Sequence, residues 1–322
     1  DKTKTAPDHV RLEADIAELT RTWEDRFLAA LNQAPLFDAA MREQAATRFE
    51  HAFKAAYRES FSVEEALEDS IEILNAREDE VIHVRAYRRE GDAPAALRLK
   101  FYAPDDVLAL SATVPILENM GLFVESEQNF ELNLSAGAGK QARAIFVHDI
   151  ETRAQNGLPI DLAEVGQQFE RAFAAIWTGQ AENDGFNRLI LALGAEWREA
   201  ALLRALARYR QQSGLDPSQN VQEQALGAYP KIARLILALF RVRFDPDLPE
   251  SMATRRMRSA RLQLLIEAAL NEVESLDQDR ALRRICALVS AIQRTNFYQA
   301  DNGGAPKARQ YLFRTPPAIY AQ

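Results

Sequence analysis

Residues 97–102 read LRLKFY. Apolar Leu97, Leu99 and Phe101 alternate with Arg98, Lys100 and Tyr102, the two-residue period of a strand whose faces differ. The residues before it have another period. In Val10–Leu31, Leu12, Ile16, Leu19, Trp23, Phe27, Leu28 and Leu31 recur at three- and four-residue steps and make one helical stripe. Pro35 breaks that stripe. A second helix is expected from about Asp38 to Tyr57, with Phe49, Phe53 and Tyr57 on one face. A third opens at Ser62, which forms a capping box with Glu65, and runs to about Asn75. LRLKFY therefore decides between an all-helical chain and a mixed one.

Working outward, Val81, Ile82, Val84 and Tyr87 read as a first strand, and EGDAP as a turn. Glu80–Arg89 and Ala95–Ala103 thus form a hairpin. Leu108–Met120 reads as a helix closed by Gly121. Leu122–Leu134 is a strand, SAGAGKQ a loop and Arg143–Ile150 another strand. With the helix at 62–75 the order is α-β-β-α-β-β. A sheet with both helices on one face buries the apolar sides. The order fits the ferredoxin-like plan, βαββαβ, if the last strand stands in for a missing first one.

From Asp161 the pattern is helical again, with Asp161 and Glu164 as a start signal and Gly179 as a stop. Further helices are expected at about 184–193, 196–212, 218–228, 230–243, 251–274 and 278–296. The fold class expected is α+β: N-terminal helices over 1–61, an antiparallel sheet domain over 62–155, a mostly α-helical domain over 156–300, and a tail over 301–322 without period.

Bulk composition narrows the function. The 322 residues carry a net charge of −8, which repels phosphate backbones and argues against nucleic acid. Arg255, Arg256, Arg258 and Arg261 sit in a helical pattern and read as a solvated face. The single cysteine, Cys286, rules out an internal disulfide and a thiolate-rich zinc site, and fits a reducing cytoplasm. No apolar run reaches the ~18 residues of a membrane span. The first residues, DKTKTAPDHV, have no signal-peptide core and no initiator Met. The chain reads as a piece of something longer.

The motifs that would carry chemistry fall short. GAGK at Gly137–Lys140 lacks the GxxxxGK[ST] spacing; Gln141 stands where Ser or Thr is needed, and a strand follows instead of a helix. No GxGxxG follows a strand and opens a helix, as a dinucleotide fold requires. His9, His51, His83 and His148 have no metal-ligand spacing, although His83 and His148 lie on strands of one sheet and could be neighbours. No serine sits in a GxSxG elbow. Cys286, among Ile285, Leu288 and Val289, reads as a small buried apolar residue. No catalytic, cofactor-binding or metal-ligating residue is expected.

One polar knot remains. Residues 181–189, AENDGFNRL, gather Glu182, Asn183, Asp184, Asn187 and Arg188 around Gly185 and Phe186. Asn183 or Asp184 suits a cap for a helix starting near Phe186. Glu182 and Asp184 suit its dipole, and Arg188 is placed to reach back to either carboxylate. This capping account leaves Asn187 over. Two readings stand: a helix cap, or a contact to a ligand or another domain.

Several segments carry a resemblance. AAIWTGQAENDGFNRLILALGAEWREAALLRALARY (174–209) closely resembles the helical region of the large bacterial NAD-specific glutamate dehydrogenases. LTRTWEDRF (19–27), AFKAAYRESF (52–61), LRLKFY, VPILENMGLFV (114–124), VHDIE (147–151), YPKIARLILALFRVRFDP (229–246) and LDQDRALRRICALVSAIQRTNFYQ (276–299) resemble the same family, in the same order. The resemblance implies a long polypeptide of ACT-type domains, helical motifs and a dehydrogenase domain that converts L-glutamate, NAD and water to 2-oxoglutarate, ammonium and NADH. This chain is similar to a late ACT-type domain with the first helical motif. KARQYLFRTPPAIY resembles the opening of the catalytic domain. The family's catalytic lysines and Gly-rich nucleotide segment have no counterpart here. The resemblance thus implies a regulatory and architectural fragment, inactive by itself, with NAD bound only by the full-length enzyme. Its implied partners are the downstream catalytic domain, other subunits of a homo-oligomer and an amino-acid effector. The alternatives are a pure oligomerisation scaffold and an amino-acid binding module.

Overall fold

Several helix starts in this protein are fixed by side-chain caps. A computed structural model describes residues 21–35, 37–76, 81–137, 139–214, 218–299 and 311–316. Thr22 caps α1 (Trp23–Gln33): its Oγ1 accepts from the Asp25 N–H at 3.1 Å, and Asp25 Oδ2 accepts from the Thr22 N–H at 3.1 Å. Asp38 caps α2 (Ala39–Phe49). Ser62 and Glu65 form the expected box at the start of α4 (Val63–Asn75). The long helix expected from Asp38 to Tyr57 is instead two, because α2 ends at Phe49 and a short α3 (Ala55–Ser60) follows. Phe49, Phe53, Tyr57 and Phe61 still stack in series, with ring centroids 4.7–5.7 Å apart. Such pairs add about 0.5–1.5 kcal/mol each beyond burial.

The period-2 segment forms the sheet. β1 (His83–Tyr87), β2 (Ala96–Pro104), β3 (Leu122–Leu134) and β4 (Arg143–Ala154) pair antiparallel in the order β1-β2-β4-β3. Helix α5 (Leu110–Asn119) links β2 to β3, and α6 (Leu162–Trp177) follows β4 and packs beside α5. The chain order is ββαββα, which is the βαββαβ plan cut at another point of the same cycle.

The chain divides into two compact units. The first comprises residues 1–83, 100–108 and 128–149; the second 84–99, 109–127 and 150–322. In the first unit, Tyr102, Phe130, Leu132, Ile145 and Val147 belong to one core with Phe27, Phe49, Phe53 and Tyr57 of the N-terminal helices. Helices therefore cover the face of β2 that the alternation marked as polar. Lys100 and Tyr102 are buried there, and Leu99 and Phe101 are buried on the other face.

The second unit is mainly helical. Asp161 caps α6, its Oδ1 accepting from the N–H groups of Ala163 and Glu164. A 3-10 turn (Gly185–Asn187) leads into α7 (Arg188–Leu193), which Gly194 closes at φ 64°. Next come α8 (Trp197–Gln212), α9 (Asn220–Ala228), α10 (Pro230–Phe244), α11 (Met252–Leu270) and α12 (Leu276–Ala291). Leu203, Leu206, Ile236, Phe240, Leu282, Ile285 and Val289 are fully buried in their common core. Each such side chain contributes about 1.5–3 kcal/mol. In the tail without period, β6 (Phe313–Arg314) pairs with β5 (Arg294–Thr295). Two-residue strands are too short to show a period.

Candidate functional site: the polar knot at residues 182–188

Asp184 is the cap. Its Oδ1 accepts from the Phe186 N–H at 3.1 Å, ahead of the 3-10 turn. Its charge partner is Arg204 on α8. Arg204 Nε donates to Asp184 Oδ2 at 2.6 Å and Nη2 to Oδ1 at 2.8 Å, a two-pronged grip. The same Nη2 donates to Asn187 Oδ1 at 2.8 Å, and Asn187 Nδ2 donates to the Glu182 carbonyl at 2.9 Å. Asn187 thus joins the buried guanidinium to the chain before the turn. Its side-chain oxygen does not cap the turn, because it is held by Arg204, 17 residues away.

Glu182 pairs with Arg208, one turn along α8, where both side chains are about half exposed. Such pairs contribute about 0–1 kcal/mol. Asn183 Oδ1 accepts from Asn119 Nδ2 at 2.9 Å. Arg188, expected to reach back to Glu182 or Asp184, runs instead beside Gly227 and Gly185. A Cβ on Gly227 would stand 2.7 Å from Arg188 Cδ, and one on Gly185 would stand 2.0 Å from Glu223 Oε1. The two glycines are the space that Arg188 and Glu223 occupy. Burial pushes the Glu223 carboxyl above its ordinary range, and the Asp184 charge adds to this; Arg188 and Arg204 pull the other way. Both Asp184 oxygens are taken, so the knot has the geometry of a lock on the turn.

A second acid–base cluster was not read from the sequence. Asp69 on α4 is fully buried. Its Oδ1 accepts from Lys100 Nζ at 2.9 Å and Tyr102 Oη at 2.8 Å; its Oδ2 accepts from Lys100 Nζ at 2.8 Å and from Tyr57 Oη. Lys100 Nζ also lies 3.9 Å from the centre of the Phe61 ring. Burial, then the Asp69 charge, hold the Tyr57 phenol well above its ordinary pKa, so it stays a donor. The missed signal was an acid on the buried stripe of Val63, Ala66 and Ser70.

The histidines are not neighbours, because β2 lies between β1 and β4. His83 Nε2 meets Glu72 Oε2 at 2.8 Å, and His148 Nε2 accepts from the Leu108 N–H at 3.0 Å. His9 lies outside the described residues. Among the described residues no group of three or more His, Cys, Asp or Glu is placed to hold a metal. No described helix is long and apolar enough to cross a membrane. Burial pushes the Cys286 thiol up to about 12.

The two strand-to-helix turns do not fit a pyrophosphate. The turn after β2 carries Asp105 and Asp106, and Asp106 Oδ1 accepts the Val107 N–H. After β4, Asp161 already occupies the N–H groups that open α6. A dinucleotide needs the helix-opening donors free and the approach lined by glycine; the start of α6 fails the first condition and the turn at 104–109, PDDVLA, fails the second.

Family models match four stretches in chain order. Glutamate dehydrogenase helical motif 2 matches 36–74, the ACT3 domain 81–165 and helical motif 3 181–246; the catalytic domain of bacterial NAD-glutamate dehydrogenase matches 265–316. The chain belongs to the bacterial NAD-specific glutamate dehydrogenase family. The NAD-specific glutamate dehydrogenase of Halomonas elongata is 34% identical over 310 residues, covering 96% of this chain and 18% of that protein. That of Pseudomonas aeruginosa is 34% identical over 318 residues, 99% of this chain and 19% of that protein. That of Mycobacterium tuberculosis is 29% identical over 301 residues, 92% of this chain and 18% of that protein. The chain thus spans about a fifth of the length of these glutamate dehydrogenases. The knot lies at the start of the helical motif 3 match, whereas the sequence reading took 156–300 as the first helical motif. The catalytic-domain match begins at 265, inside α11 and ahead of the tail from 301.

Proposed function

We propose that this chain is the non-catalytic regulatory and structural part of an NAD-dependent glutamate dehydrogenase. The whole enzyme would convert L-glutamate, NAD and water to 2-oxoglutarate, ammonium and NADH in the cytoplasm. The ordered match to two helical motifs and an ACT domain ahead of a catalytic-domain segment carries this reading. Its partners would be the catalytic domain and other subunits. Met257, Leu264 and Leu276, 69%, 73% and 62% exposed, suit such contacts, as does the knot, which would hold the turn before α7 at a fixed angle. The strand-to-helix turns support placing the nicotinamide elsewhere, because the start of α6 is capped by Asp161 and the turn before α5 carries Asp105 and Asp106 and no glycine.

The test is absorbance at the NADH band with the purified chain, L-glutamate and NAD. No NADH is expected. Glutamate-dependent NADH formation above a buffer control would overturn the proposal.

A further inference from the structure

We infer that the first unit carries a binding site for a small organic or inorganic oxyanion, in a cleft where the buried guanidinium of Arg48 awaits a partner. The cleft, of about 520 Å³, is lined by Arg48, Arg143 and Lys140 with Ile73, Ile145 and Tyr102 among its apolar wall. Its size is that of a small-molecule site, roughly 300–1,000 Å³.

Arg48 is the decisive residue. It is 5% exposed, and its Nη1 is buried without a hydrogen-bond partner. A buried charge ordinarily has a counter-charge, and among the described residues none is bonded to it. Its place in the last turn of α2 suits the helix dipole, but a dipole fills no donor. Arg143 also lines the cleft and uses its Nε on Asp105 Oδ2 at 2.8 Å. Burial and then the Arg143 charge press the Arg48 pKa downward; the Asp105 carboxylate, which also lines the cleft, is paired with Arg143. Guanidinium forks match carboxylate and phosphate oxygens, so an oxyanion is the chemistry that fills the open donor of Arg48, with Arg143 beside it.

The loop that failed as a phosphate loop forms one rim. Gly137 and Lys140 exchange backbone hydrogen bonds at 2.9 and 3.0 Å, and the Ser135 N–H donates to the Arg48 carbonyl at 3.0 Å. A Cβ on Gly137 would stand 2.9 Å from Thr47 Cγ2, so glycine lets the loop close on α2. This brings Lys140 to the cleft from a tight turn instead of a helix start.

The proposal concerns the chain itself and stands apart from the dehydrogenase reading. The test is calorimetric titration of the full chain with inorganic phosphate, succinate and uncharged succinamide in separate runs. Saturable binding of phosphate or succinate is expected, and none of succinamide; whichever anion binds more tightly names the ligand class. Arg48→Met and Arg143→Gln should each weaken that binding at least about tenfold. Arg153→Gln, which removes an exposed pair with Glu125, should leave it unchanged. In anion-free buffer Arg48→Met should melt no lower than the parent, because it removes an unpaired buried charge. The proposal fails if neither anion binds at about 10 mM, or if both variants bind as the parent does. If Arg48→Met does not fold, the proposal also fails, because Arg48 is then structural.

Discussion

The chain builds two buried acid–base clusters, one in each unit, by opposite routes. In the first unit Asp69 is fully enclosed and answered by Lys100, Tyr57 and Tyr102, from a strand and a short helix. In the second unit Asp184 is a local cap, one-fifth exposed, and Arg204 reinforces it from α8. The first is made only of long-range contacts and has no water to fall back on. The second keeps its backbone bond to Phe186 whatever happens to its partner. A buried carboxylate without that local bond depends wholly on the folded structure around it.

Breaking the Asp69 cluster should therefore cost most. Asp69→Ala leaves the Lys100 ammonium buried and alone, an expected loss of about 3–5 kcal/mol in urea unfolding. Asp69→Leu combined with Lys100→Met should restore most of that loss. A double variant as unstable as the single would show that the charge pair is not the source. Arg204→Met should cost less, about 2–3 kcal/mol, because Asp184 retains water and its cap bond. A loss as large as that of Asp69→Ala would erase the contrast between the clusters.

Gly185→Ala sharpens the second cluster. The new methyl displaces Glu223 Oε1, the end of a flexible side chain, so the expected cost is about 1–2 kcal/mol. Glu223→Gln should have the smallest effect, a gain of up to about 1 kcal/mol at neutral pH. The folded-state pKa of Glu223 is raised, so the fold binds the proton more tightly than the unfolded chain. The parent therefore loses stability as pH rises from the unfolded carboxylate value, about 4.3, through the raised folded value. The Gln variant lacks that loss, and the stability gap should widen over this window and stay constant above it. A gap that narrows as pH rises would reverse the assignment.

How far each feature was legible follows from contact distance along the chain. Ser62 with Glu65, and Asp184 with Phe186, are bonds within three residues, and their letters sufficed. LRLKFY announced a strand through its period, and the α+β class followed. The burial of its polar face was not legible, because the partner of Lys100 is 31 residues away on α4. Asn187 stayed unexplained for the same reason: only α8 shows that Arg204 needs it. Arg188 was misdirected because the gaps it fills come from Gly185 and Gly227, whose crowding exists only once α9 is packed. The break between α2 and α3 left no mark, since the ring spacing survives it. Arg48 carried no signal in the sequence, because its burial comes from packing.

The central claim is that these residues support a nicotinamide reaction without holding the nicotinamide. Equilibrium titration of the purified chain with NAD, followed by calorimetry and by quenching of Trp177 and Trp197, tests it most directly. The account predicts no saturable signal up to millimolar NAD. A saturable NAD isotherm with one site per chain would contradict it.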